Sequence, residues 1–559
     1  MSVKSKGASP KEKPPRMNSM PLVSTRDAGR RARWVVVIGF ALLTVWFAGG
    51  FPPFVNPNEL SRFEMIYAVV EEGTFRIDNA VRVLGDHDDK AVSGGHLYSN
   101  KAPGLALAAI PVYRLLRCVL PAPRSGADVI FTVLLPLLTV SLAAVVALGR
   151  LGARLANADS RVAALTLFAL AFGTSYVYYS RAFFGHVWAG ALLFLGWDLW
   201  RRVEDPTTPR RRGWGAFAAG LLAGWAFLSE YTVAPILLCL VLRASAPRVW
   251  RRLALFVAGI GVPVAVLLVY QSICFGSPFT PSYAREAYPP YAELAHRRFL
   301  GFGLPDAVTL WNFLFHPARG VLLFSPFFAW AAVGFVRWWR SREDRADCLF
   351  VFWALALLLL MLGAYPNWHG GWSLGSRYLI PVYPLVGLAI GRALHTPLSR
   401  GFFLAAVVFS VANHFLLTLT WPSFPLFVPW PAATGSGWFL ARGWIGAHIG
   451  PASPAGDAVA VLLALCVLLA GLTVSVRTAQ PLTPRPLVGL VIGLLPLVVL
   501  LTRPPELGFP ARLWRAAIYG KYSGRDPTRE ELRQVILSAQ TPAERRQAIG
   551  VWRSYGTNR

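Results

Sequence analysis

Charge is scarce in this chain: Asp, Glu, Lys and Arg make up 15% of its 559 residues, against roughly 25% in a soluble domain. Together with 55% hydrophobic residues and a mean hydropathy of +0.47, this excludes an ordinary soluble globule and points to a polytopic membrane protein. Cysteine is sparse as well. Cys118, Cys239, Cys274, Cys348 and Cys466 are scattered, mostly in apolar segments, with no CxxC or ligand spacing, so they indicate neither a disulfide framework nor a thiolate metal site. Lysine is the scarcest cation, for between residues 14 and 520 only Lys90 and Lys101 occur. No repeat of solenoid period and no inverted hydropathy symmetry is found.

What is present is arginine. The net charge of +27 would suggest nucleic acid in a soluble protein, but the arginines lie in short runs between apolar segments, as the positive-inside bias requires. The basic, Pro/Ser-rich start is too polar to pack and is expected to be a disordered cytoplasmic tail over residues 1–32. It is no cleavable signal, since the apolar stretch 34–50 lacks a small-residue cleavage site and opens onto an acidic loop; it reads as a first helix running outward.

Further apolar spans of about 17 to 25 residues fall at 126–148, 161–179, 183–200, 251–273, 320–337, 346–365, 377–395, 401–420, 456–476 and 485–502. Residues 214–246 hold two shorter spans folded at Ser229, Glu230 and Tyr231. Segment 104–120 is short and carries Arg114 and Arg117, and placing it in the interface puts every strongly basic short loop on one side. Those loops are 201–212, 243–252, 337–345, 392–400 and 477–486. The expected architecture is all-α and polytopic, with about thirteen spanning helices over 33–502. Interfacial helices are expected in the first extracytoplasmic loop, 53–125, with a short extracytoplasmic tail over 503–559. In that tail PTREELRQVILSAQ and TPAERRQAI read as short capped helices.

This topology rests on arginines alone, yet it gathers the other ionisable groups on the outer face. Glu59 follows the first helix, and Arg62 falls on its side if the stretch is helical; a base beside a cation suits deprotonation of an alcohol while the cation holds an anionic leaving group. The plainer reading is an interfacial helix with a salt bridge. Asp78 ends GTFRID, where turn chemistry is the ordinary explanation. Asp86, Asp88 and Asp89 offer oxygen ligands for a divalent cation, or form a solvated acidic turn. Lys101, after Tyr98 and before Ala-Pro-Gly, carries a compact charge on a flexible stem that suits a phosphate oxygen; interfacial snorkelling is its bland alternative. In GGWSLGSRYLIPVYP, Gly370, Gly371 and Gly375 permit a tight turn beside His369, and Arg377 stands at a helix mouth. Arg181 and His186 flank another outer turn, and Glu230 is an acidic residue at membrane depth.

NELSRFEMIYAVVEEGTF, HLYSNKAPGLALAAIPVY, LFHPARGVLLFSPFFAW and HGGWSLGSRYLIPVYP resemble loop phrases of the polytopic glycosyltransferases of the C-type fold. That superfamily includes the protein O-mannosyltransferases and the lipid A aminoarabinose transferase, and the resemblance covers residues 34–400. It implies inverting transfer of a sugar from a polyprenyl-phosphate donor to a lipid, glycan or protein acceptor hydroxyl, on the extracytoplasmic face of a bacterial plasma membrane. It also implies a first-loop carboxylate as base, with Lys101 and Arg62 at the lipid phosphate. The family's acidic pair is here Asn58-Glu59, so only Glu59 matches and Asp78 becomes a rival. Arg377 is a further phosphate candidate, and Tyr98, Arg181, His186, Glu230 and His369 are candidates for substrate contact. No cofactor is demanded, and a divalent ion at the aspartate turn is the one candidate. Two other classes stay open: a secondary transporter or flippase, which should carry its ionisable groups near the bilayer midplane, and a non-catalytic assembly subunit.

Overall fold

The computed structural model describes residues 25–50, 56–441 apart from short stretches (127, 157–159, 206–211, 247–248, 297–300, 343 and 395–396), 506–523 and 535–556, with isolated positions between 469 and 499. Residues 1–24 of the expected N-terminal tail, the spans 456–476 and 485–502 and residues 442–455 of the Trp- and Pro-rich stretch 421–455 lie outside the described residues, bar those isolated positions, whereas residues 25–32, expected as disordered tail, are the first turns of a helix that continues into the apolar stretch.

The described chain is mostly helical. Val129–Ala156, Trp250–Phe275, Arg345–Gly363 and Ser399–Leu419 are each long and apolar enough to cross a membrane, and Val162–Phe172, Gly213–Ser229 and Tyr231–Ser245 are shorter apolar helices. The chain is an integral membrane protein. Helix Gly185–Glu204 has 20 residues, about 30 Å of rise, which matches the hydrocarbon thickness of a bilayer. Its start carries His186 and its end carries Arg201 and Glu204, so it ties two chemically different ends together.

At the second of these ends the basic loops meet. Arg201 pairs with Asp344 at 2.6 Å and with Asp347 at 3.0 Å, while Arg243 pairs with Glu204 at 2.7 Å and Asp347 at 2.6 Å. Arg150 joins Asp198 at 2.9 Å, and Arg392 lies 3.9 Å over the Trp338 ring. Loops that the arginine pattern assigns to one face are thus bonded to each other. Asp347 is buried and is shared by Arg201 and the buried Arg243, so removing it takes one acceptor from each of two guanidiniums. Asp347→Ala is expected to cost about 3–5 kcal/mol in thermal unfolding of the detergent-solubilised protein. Asp344→Ala, whose carboxylate is 44% exposed, should cost less than about 1 kcal/mol.

Helix–helix packing relies on small residues, as expected where no hydrophobic effect separates helix from lipid. A Cβ on Gly220 would lie 1.9 Å from the Phe256 carbonyl, and one on Gly259 would lie 2.1 Å from that of Phe217, so helices Arg212–Ser229 and Trp250–Phe275 touch backbone to backbone.

Three expected spans are not continuous. The 161–179 stretch is a helix, Ser160–Phe172, followed by a break and one turn, Tyr176–Tyr179. The 320–337 stretch becomes Val321–Phe324, a 3-10 turn Pro326–Ala329 and helix Trp330–Ser341, and 377–395 opens with a 3-10 turn, Arg377–Val382, before Tyr383–Ala393. Pro326, Pro381 and Pro384 remove backbone donors, and the freed groups are satisfied locally: the Ser325 hydroxyl donates to the Gly173 carbonyl at 2.6 Å. Such breaks are tolerated at membrane depth where protein surrounds them.

The first loop also departs from the all-helical expectation. After α1 (Thr25–Gly50), α2 (Pro57–Glu71) and α3 (Asp78–Leu84) comes an antiparallel hairpin of β1 (Lys90–Ser93) and β2 (His96–Ser99), then α4 (Gly104–Arg117). The hairpin turns on Gly94 (φ 58°) and Gly95 (φ 79°), a conformation that favours glycine. With 14 residues, α4 rises only about 21 Å, less than the roughly 30 Å of a bilayer's hydrocarbon core. Near the other terminus, helix Pro542–Gly556 opens on the expected capping box: the Glu544 N–H donates to Thr541 Oγ1 at 3.2 Å and the Thr541 N–H to Glu544 Oε2 at 3.0 Å.

Candidate active site

Where the breaks, the first loop and the outer turns converge there is a cavity of about 690 Å³, a size suited to a substantial ligand. Its wall includes Glu59, Arg62, Asp88, Asp89 and Lys101 from the first loop, with Arg181, His186, Glu230 and Arg377 from three later segments.

The first wall is α2. Asn56 caps it, its side chain accepting from the Asn58 N–H at 2.9 Å, and Pro57 stands in the first turn, where its missing N–H costs nothing. The helix presents Glu59 and Arg62 together. One Glu59 oxygen accepts the Phe183 N–H at 2.8 Å. Burial pushes this carboxyl above its ordinary range, although Arg181, the Phe183 N–H and Arg62 pull it down. Arg62 is buried and donates to the Asn58 carbonyl at 2.7 Å and to the Asn58 side chain. Asn58 therefore orients the guanidinium.

Lys101 closes the hairpin. It is buried, pairs with Asp89 at 3.0 Å and lies 5.9 Å over the Tyr283 ring. Burial alone would raise the Asp89 carboxyl, but Lys101 holds it below its ordinary value. The turn bearing Asp89 is latched from behind. The Asp89 N–H donates to His87 Nδ1 at 3.0 Å, and His87 Nε2 lies 2.6 Å from the buried Glu64. With Nδ1 accepting, Nε2 carries the ring proton and donates it to Glu64.

The deeper groups pair among themselves. His186 Nδ1 is 3.1 Å from Glu230, whose other oxygen accepts from Thr232 at 2.9 Å, so the partner of Glu230 is a histidine. Arg181 stacks 4.6 Å over Tyr178. Arg377 lies 5.4 Å from both the Phe184 and Tyr378 rings. Neither Arg62 nor Arg377 has a carboxylate within ion-pair distance among the described residues.

Four sequence candidates do not reach the cavity. Asp78 heads α3 with its carboxylate 39% exposed, 3.3 Å from His96 Nδ1 and accepting the Leu97 N–H at 3.1 Å; it pins the hairpin. Tyr98 packs edge-on against Phe275 at 5.6 Å. His369 accepts the Gly371 N–H at 3.0 Å, and burial pushes its imidazole down to about 4, so it is a neutral brace for the turn. Asp86 is bonded to Lys90 on the surface. Since Asp89 is taken by Lys101, the three aspartates do not form a cation cradle, and among the described residues no three His, Cys, Asp or Glu side chains gather as one.

The far wall is held by a residue overlooked in the sequence. Arg319 is buried and donates to the carbonyls of Ala318, Gly371 and Phe424, fastening the glycine turn to the Trp/Pro stretch, whose Trp421, Pro422 and Ser423 line the cavity. Behind them helix Phe509–Ser523 sets Trp514 at 5.2 Å from Phe424 and 6.2 Å from Trp372. Tyr283, Glu286, Tyr291 and Tyr365 also line the cavity. The only sequence signal for them is the aromatic density of the outer loops.

No protein-family model matches the chain, and no curated protein does. Among solved structures it is similar to ArnT from Cupriavidus metallidurans in the apo state (18% identity, TM-score 0.47, covering 82% of this chain and 76% of that one). The same protein bound to undecaprenyl phosphate gives 18% identity and a TM-score of 0.45, covering 82% and 77%. The archaeal oligosaccharyltransferase AglB from Archaeoglobus fulgidus, in complex with an inhibitory peptide and a dolichol-phosphate, gives 12% identity and 0.40, covering 91% of this chain and 60% of that one. ArnT and AglB are glycosyltransferases of the C-type fold, the superfamily that the loop phrases resemble.

Proposed function

We propose that the cavity transfers a sugar from a polyprenyl-phosphate donor to an acceptor hydroxyl on the extracytoplasmic face, with inversion at the anomeric carbon. The observation that carries this reading is the anion seat. Arg62 and Arg377, neither of them within ion-pair distance of a carboxylate among the described residues, line the same cavity as Lys101, and buried cations are costly unless an anion completes them.

The lipid phosphate sits against Lys101, Arg62 and Arg377. Glu59, with one oxygen held by the Phe183 N–H, takes the acceptor's proton on the other. The acceptor oxygen bonds to the anomeric carbon as the bond from that carbon to the phosphate oxygen breaks, and the electron pair leaves on the phosphate. Attack opposite the leaving group inverts the configuration. The three cations stabilise charge that grows on the phosphate in the transition state. Glu59 is preferred over Asp78 because a base must reach its proton, and only Glu59 lines the cavity. The His186–Glu230 pair and Arg181 would contact the sugar or acceptor.

The test is a membrane assay with defined polyprenyl-phosphate sugars, read by mass spectrometry. A glycosylated product is expected, and EDTA should leave its yield unchanged, since the aspartate turn forms no cradle. Accumulation of donor inside vesicles with no product would overturn the transferase reading in favour of transport.

A further inference from the structure

Glu286 belongs to no motif singled out in the sequence. It follows the 3-10 turn Ser282–Arg285 in the outer segment after helix Trp250–Phe275, and the hairpin fixes its place. Ala91 bridges to Glu286, and the Ala287 N–H donates to the Lys90 carbonyl at 2.8 Å. The Ser282 hydroxyl donates to the Asn100 carbonyl at 2.7 Å, and Asn100 Nδ2 donates to Glu286 Oε2 at 2.8 Å. Glu286 therefore stands beside the residue that precedes Lys101, at the phosphate end of the cavity.

Among the described residues, Lys101 is the cation that acts on it directly. From the first loop it meets Lys101 and Asp89, which are already paired. From its own segment come Tyr283 and Tyr291, and from beyond the next helices Tyr365, with Arg377 and Tyr378 facing Tyr291. Among the described residues a neutral amide supplies the one hydrogen bond to its carboxyl, on Oε2, and Glu286 lines the cavity with Oε1 unclaimed. An ionised Glu286 would repel an arriving phosphate from within its own seat.

We propose that Glu286 carries a proton on Oε1 and donates it as a hydrogen bond to the phosphate of the lipid donor, so that donor binding takes up a proton. This rests on the lipid-phosphate reading above. Burial pushes the Glu286 carboxyl up to about 7, against the pull of Lys101 and Asn100. The sign follows directly. Below that pH the group is protonated and donates; above it the group ionises and repels, and apparent affinity falls with the protonated fraction, by roughly tenfold between pH 6 and pH 8.

The probe is farnesyl methyl phosphodiester, whose single negative charge does not titrate in this range. It is titrated calorimetrically into the purified full-length protein at pH 6, 7 and 8, in buffers of different ionisation enthalpy. The wild type should lose about tenfold in affinity across the range and take up close to one proton per ligand at pH 8. Glu286→Gln keeps a donor without a charge, and should bind with a flat pH profile and no proton uptake. A variant that retains the wild-type slope, or that binds at no pH while the wild type does, overturns the role of Glu286. A folded wild type that binds the phosphodiester at no pH overturns the donor reading on which the proposal stands.

Discussion

Lys101→Ala is expected to lose sugar transfer by well over a hundredfold while the protein still expresses and inserts. One part of the effect is the missing cation: a donor aimed at charge developing in the transition state is worth on the order of a hundredfold or more. The other part comes from Asp89. Lys101 holds that carboxylate at 3.0 Å, and once freed it would stand as a bare negative charge in the phosphate seat. Two variants separate the parts. Lys101→Arg restores charge but replaces a compact ammonium by a planar fork, and should recover only part of the rate. Lys101→Ala with Asp89→Asn should exceed Lys101→Ala alone, since residues in contact do not add. Equal rates in wild type and Lys101→Ala, measured with saturating donor and matched protein, would remove Lys101 from the phosphate role.

The second large effect is at Glu59. Loss of a general base costs roughly 10²- to 10⁴-fold, and Glu59→Gln should fall in that range in kcat, since the amide keeps the shape and can still accept the Phe183 N–H. Asp78→Asn should retain most activity, because the amide oxygen can still accept the Leu97 N–H and the site is partly exposed. The pH profile adds a check. A base acts when deprotonated, so the rate should rise with pH through the Glu59 pKa, which burial raises above the ordinary carboxylate value. That acid limb should vanish in Glu59→Gln. Equal losses in both variants, with the limb intact, would send the search for the base elsewhere in the cavity.

The cations of the site were legible because each broke a local habit of the chain. Lys101 is one of only two lysines between residues 14 and 520, and Arg62, Arg181 and Arg377 fall outside the short basic loops that hold many of the other arginines. The loops that the positive-inside bias places together are bonded together through Asp198, Glu204 and Asp347. Gly94-Gly95 between two short alternating runs is a hairpin signal, where the first loop was expected to hold interfacial helices. Asp78 looked equal to Glu59 because both are first-loop carboxylates; sequence does not say that one faces the cavity and the other a histidine on the hairpin.

The sequence by itself determined that the chain lives in a membrane, which loops share a face, and where the unusual cations lie, because hydropathy and charge bias act segment by segment along the chain. Tertiary structure alone decided which carboxylates are spent and which are available. Asp89 is held by Lys101, Glu230 by His186 and Glu64 by His87, whereas the one hydrogen bond that the described residues give each of Glu59 and Glu286 comes from a neutral N–H donor. Those pairings join residues 12 to 44 positions apart, and Glu286 reaches Asn100 across 186. A carboxylate's chemistry is set by its burial and its partner, and both are properties of the folded arrangement that no local pattern contains.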